Sequence, residues 1–135
     1  MDRTIVLETD QMRVIAMDSI SYMQPEDNGA VIVAASNGGA ATGEHAARFS
    51  GLVYFFNDAG FGKDNAGVEA LSFLEKAAIA AGTVSHDSAR ISDGIDCYES
   101  GLLSAVNDRA AALGFRRGDR LIEAISAFVG MPRDQ

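Results

Sequence analysis

Cysteine, proline and basic residues are scarce in this chain. Cys97 is the only cysteine, which excludes an intrachain disulfide and fits a reducing, cytoplasmic setting. Only two prolines stand against fourteen glycines, and the glycines cluster between apolar runs, as they do in tight loops. Lysine and arginine total 11 against 19 acidic residues, a net charge of −8. Nucleic-acid binders carry a basic stripe; here Arg116–Arg117 is the only adjacent basic pair. The balance argues against nucleic acid and anionic membrane as partners and favours solubility. No apolar run approaches the ~20 residues that cross a bilayer. The opening MDRTIVLETD lacks the basic-then-apolar order of a signal peptide.

What is present suffices for a core. Hydrophobic residues make up 47% of 135 residues, enough for one domain. Residues 4–9 and 12–17 are β-rich runs split by Asp10-Gln11 and predict a hairpin. Residues 30–35, 52–56 and 82–85 are short apolar runs that suit strands buried on both faces. Residues 42–49 predict a short helix. Val68, Leu71, Leu74 and Ala78 space a helix over 67–81. The longest helix signal runs over 97–113, with Gly114 at its C-terminal stop. Asp119 is placed to cap a last helix through Phe128. Strands alternating with helices predict a doubly wound, three-layer α/β sandwich. Its mixed, mostly parallel sheet has about five strands, with the N-terminal hairpin at one edge. Loops 36–43, 57–66 and 86–96 each follow a strand, so topology brings them to the rim where α/β sheets bind ligands.

Those loops carry Ser36-x-Gly38-Gly39, then Asn57-Asp58-Ala59-Gly60-x-Gly62-Lys63-Asp64, then Thr83-Val84-Ser85-His86-x-Ser88-Ala89-Arg90-Ile91. Together these strings resemble a family of small uncharacterised bacterial proteins over about residues 31–113. The resemblance implies no activity. Members of that family tend to carry His at the position of Asn37, so it carries no catalytic role over to that position.

Named phosphate motifs fail. A P-loop needs Gly where Asn57 stands and Ser/Thr where Asp64 stands. The dinucleotide pattern matches Gly60 and Gly62, but Asn65 occupies the third glycine position. No cofactor is therefore expected. The loop can still hold a carboxylate or phosphate through Asn37, Asn57 and backbone amides at Gly38, Gly39, Gly60 and Gly62. Lys63 would add charge, and Arg90 a two-pronged clamp. The plainer alternative is a tight turn in which Lys63 pairs with Asp58 or Asp64. His86 is a candidate general acid/base because histidine titrates near neutrality. Asp58 would orient it, and Ser88, Ser36 or Ser85 could be a nucleophile. Against this, His86 and Ser88 could simply bond the loop backbone and Arg90 bridge to Asp87, Asp93 or Asp96. Two histidines, His45 and His86, and one cysteine give no metal motif. Asp58, Asp64 and Asp93 read more naturally as solvated or capping acids than as Mg²⁺ ligands. Cys97 reads as a buried apolar residue before a nucleophile.

The expected function is an enzyme of hydrolase or lyase type that binds a small anionic metabolite and assembles as a homo-oligomer. The alternative is a non-catalytic ligand-binding or assembly module, with Phe61 and Arg90 as interface anchors.

Overall fold

The apolar runs alternate their residues between two cores. In a computed structural model describing residues 3–131, Val31, Val33, Ala35, Val53 and Phe55 point to one face of a sheet. Ile32, Ala34, Tyr54 and Phe56 point to the other. Strands of this kind must be covered twice, and they are. The sheet has six strands: β1 (Arg3–Glu8), β2 (Arg13–Met17), β3 (Val31–Asn37), β4 (Val53–Asn57), β5 (Ala80–Val84) and β6 (Leu103–Val106). Helices α1 (Ala40–Ala46) and α2 (Glu69–Lys76) cover the second face through Ala46, Ala70, Leu71 and Leu74. Helices α3 (Gly94–Ser100), α4 (Asp108–Ala112) and α5 (Leu121–Gly130) cover the first through Cys97, Ala110, Leu121, Ile125 and Phe128.

The three-layer α/β class, the mixed sheet and the N-terminal hairpin agree with the sequence reading. The winding does not. Strand order follows the chain, β1 to β6, so every parallel step moves the same way. Right-handed crossovers then leave α1 and α2 on one face, and the sheet has no switch point where strand order reverses. The opposite face is filled by the chain after β5.

Strand β2 belongs to the parallel set. It pairs antiparallel with β1 but parallel with β3, so the segment after Met17 reaches the same rim as the three expected loops. The helix expected over 97–113 is two short helices around a strand. Gly101 ends α3, its N–H donating to the Cys97 carbonyl. Leu103–Val106 then pairs antiparallel with β5. Asn107 starts α4, its side chain accepting from the Ala110 N–H. Pairing along the open edge of β5 outweighs a helical spacing that Tyr98, Leu102 and Val106 share by coincidence. Gly114, with φ +105°, does follow the end of α4. Helix α5 has Arg120 rather than Asp119 at its N-cap, without a side-chain cap; the Asp119 carboxylate accepts from the Arg116 N–H instead. No helix among the described residues is long and apolar enough to cross a membrane.

Candidate functional site

Parallel strands β3, β4 and β5 end level, with Asn37 opposite Asn57 and Asn57 opposite Val84. Their loops interlock through backbone hydrogen bonds. Gly38 N–H donates to the Asn57 carbonyl (2.9 Å), Asp58 N–H to Val84 (2.9 Å), and Ser92 N–H to Ala35 (2.8 Å). Two glycines permit the close approach. A Cβ on Gly67 would lie 1.8 Å from the Asp58 carbonyl oxygen, and one on Gly38 would lie 2.3 Å from that of Gly67.

Backbone strain gathers on this rim. Ala59, Gly60, Phe61 and Gly62 all have positive φ, followed by Asp64 and Asn65, and Ser92 does so on the neighbouring loop. Each non-glycine position of this kind costs roughly 1–3 kcal/mol and persists only where surroundings impose it. Here internal acceptors impose it. Asn57 Oδ1 accepts from Ala59 N–H (2.9 Å), Asp58 Oδ1 from Gly60 N–H (2.7 Å), and the Asp58 carbonyl from Phe61 N–H (2.7 Å).

These bonds correct the expected anion nest. The N–H groups of Gly38 and Gly60 are occupied, and that of Gly39 donates to Asn37 Oδ1 at 3.0 Å. Asn57 is fully buried and donates to the Ala89 carbonyl (3.0 Å) and Cys97 Sγ (3.7 Å). It braces two loops and offers a ligand nothing. Ser88 is also engaged: its hydroxyl donates to the Ser85 carbonyl (2.8 Å) and accepts from Leu102 N–H (2.9 Å). It is a clasp between loop and β6 rather than a nucleophile. The Cys97 thiol is pushed up to about 12 by burial, against the opposing hydrogen bond from Asn57, and stays neutral. Asp93 caps α3 by accepting from Asp96 N–H. Asp58, Asp64 and Asp93 do not converge, and no metal-ligand cluster occurs among the described residues.

His86 and Asp58 do meet. Asp58 is 2% exposed, and its Oδ1 accepts from His86 N–H (3.1 Å) as well as from Gly60. His86 Nδ1 lies 3.7 Å from that oxygen, and the side chain is 52% exposed. Its Nε2 lies 3.2 Å from Asp87 Oδ1, and its ring rests against Gly60. Lys63 and Arg90 are exposed, and neither forms an ion pair among the described residues. Asp96 takes the Arg90 backbone N–H, not its guanidinium.

On this rim a cleft of ≈ 410 Å³ opens between Asn37, Gly39, Phe61, Gly62, Glu69 and Ile91. A second, of ≈ 340 Å³, shares Asn37, Ala41 and Ile91 with it and continues to Asp18 and His45. Sequence reasoning missed Asp18 and His45; the signal for Asp18 was its place directly after a strand, obscured by treating β2 as an antiparallel edge. A larger cavity of ≈ 490 Å³ lies at the opposite end of the strands, around Phe49, Gly51 and Ala78, and has no titratable lining residue. Comparison with protein-family models, curated proteins and solved structures finds no match for this chain.

Proposed function

We propose that the rim binds a small anionic metabolite, a carboxylate or phosphate, and that the protein is a cytoplasmic enzyme of lyase or water-dependent hydrolase type in which His86 moves the proton. The pairing of His86 with Asp58 carries this reading. A half-exposed imidazole stands 3.7 Å from a buried carboxylate oxygen that two backbone N–H groups hold in place. That distance is longer than a hydrogen bond, and a small ring rotation closes it; catalytic contacts often tighten only when substrate binds. Covalent catalysis is disfavoured because Ser88 and Cys97 are engaged or buried. Proton transfer to or from a bound substrate or water is what the remaining groups can do.

Anion recognition falls mainly to side chains, since the amides of Gly38, Gly39 and Gly60 are occupied. Lys63 and Arg90 are the chain neighbours of Gly62 and Ile91, which line the ≈ 410 Å³ cleft. An arginine fork suits a carboxylate or phosphate. Titration calorimetry with inorganic phosphate and with oxalate tests the reading. Wild-type protein is expected to bind at least one of them, and Lys63→Ala and Arg90→Ala each to weaken it about tenfold, the usual cost of a lost charged hydrogen bond. Absence of heat with both anions, or undiminished binding by both variants, would refute it.

A further inference from the structure

The second cleft differs in chemistry from the first. It is walled by Asp18, Ser36, Asn37, Thr42, His45 and Ser92, with Ile20, Ala41 and Ile91 supplying an apolar share of the wall. Asp18 stands at the end of β2, one carboxylate oxygen fixed by Gly94 N–H at 2.9 Å. Among the described residues it has no cationic partner. Thr42 is only 8% exposed, yet its hydroxyl has no hydrogen-bond partner among the described residues and it faces the cleft. No buried side-chain polar atom among the described residues lacks a partner, so this hydroxyl opens to the cleft and is free to bond a ligand there. Ser36 Oγ is pinned by Ile20 N–H (2.9 Å) and the Ser19 hydroxyl (3.4 Å), which holds that wall rigid. His45 lies against Phe49 in a tilted ring contact, centroids 5.9 Å apart.

We infer that this cleft binds the hydroxyl groups of a polyol or sugar, and that the substrate is a hydroxylated anion whose charged end sits at Lys63 and Arg90 while its hydroxyls occupy the Asp18–Thr42–His45 cleft. The inference rests on the anion reading above and extends it to the substrate class. An alcohol both donates and accepts, which matches a wall that offers a carboxylate, an amide, hydroxyls and an imidazole. An ammonium would use Asp18 but leave Thr42 and Asn37 poorly matched. The shared residues Asn37, Ala41 and Ile91 make the two clefts continuous, so one small molecule can span both.

The test compares inorganic phosphate, D-ribose 5-phosphate, D-ribose and O-phosphoserine by calorimetry on the full chain. Ribose 5-phosphate is expected to bind at least about tenfold tighter than phosphate, as one or two added hydrogen bonds to a charged group allow. Asp18→Asn keeps the oxygen that accepts from Gly94, and Thr42→Val keeps the shape; each should remove most of that gain and leave phosphate affinity unchanged. Equal affinity for phosphate and ribose 5-phosphate, or a gain untouched by both variants, overturns the inference and spares the anion reading. Tighter binding of phosphoserine than of ribose 5-phosphate overturns the hydroxyl assignment. Ribose binding that depends on Asp18, with no phosphate binding, supports the polyol cleft and refutes the anion reading. No binding of any probe overturns both.

Discussion

Removing the Asn57 side chain would strip partners from the Ala59 N–H and the Ala89 carbonyl, both inside the rim. Asn57→Ala is expected to cost about 2 kcal/mol, the penalty for leaving buried polar groups unmatched, and Arg90→Ala less than about 0.5 kcal/mol, as for an exposed residue without partners. Urea unfolding of the two variants checks the contrast; equal losses would refute the division between brace and ligand group. The residue types on the rim were legible in the sequence, and His86 and Asp58 do meet. What residue type could not reveal was who takes each hydrogen bond. Asn57, Ser88 and the amides of Gly38, Gly39 and Gly60 have the right chemistry for a ligand, but nearer acceptors and donors in the fold use it.

Among elements, the hairpin β1–β2 is fastened by charge. Arg3 on β1 donates from Nε to Asp27 Oδ2 at 3.0 Å and from Nη2 to Oδ1, and Asp27 is fully buried in the turn before β3. Burial pushes the Asp27 carboxyl up. The hydrogen bonds from Arg3 and the Gln24 N–H, with the Arg3 and Arg13 charges, outweigh it and hold the group below its usual range. The folded state therefore binds this proton less readily than the unfolded chain. The stability it contributes is present above the unfolded value, about 4, and is lost as pH falls through the lower folded value. Asp27→Asn should lower the melting temperature at neutral pH and flatten its fall in acid, followed by circular dichroism between about pH 7 and pH 3. Parallel curves for the two proteins would contradict the fastening role. Five of the six strands were legible because β-rich runs set off by polar or glycine-containing breaks carry the signal locally. Strand β6 was not. Its four residues lie within a helical spacing, and only the edge of β5, some twenty residues earlier in the chain, selects a strand there.

At the scale of the whole molecule, the sheet's consecutive strand order brings the ends of four parallel strands, β2 to β5, to one rim. Three of the four loops on it were legible from strand–loop alternation; the fourth, and with it Asp18, required knowing that β2 runs parallel to β3. Strained backbone at Ala59, Phe61, Asp64, Asn65 and Ser92 concentrates at this rim, while the opposite end of the strands has Ala78 alone in that conformation among the described non-glycine residues and holds a larger cavity with no titratable group. Volume favours one end and chemistry the other. An amide-resolved NMR titration of the protein with inorganic phosphate decides between them. The account predicts shifts confined to residues around Gly62–Lys63 and Arg90–Ser92, with Gly29, Ser50 and Ala78 unmoved. Shifts centred on those last three residues, or none at all, would contradict it.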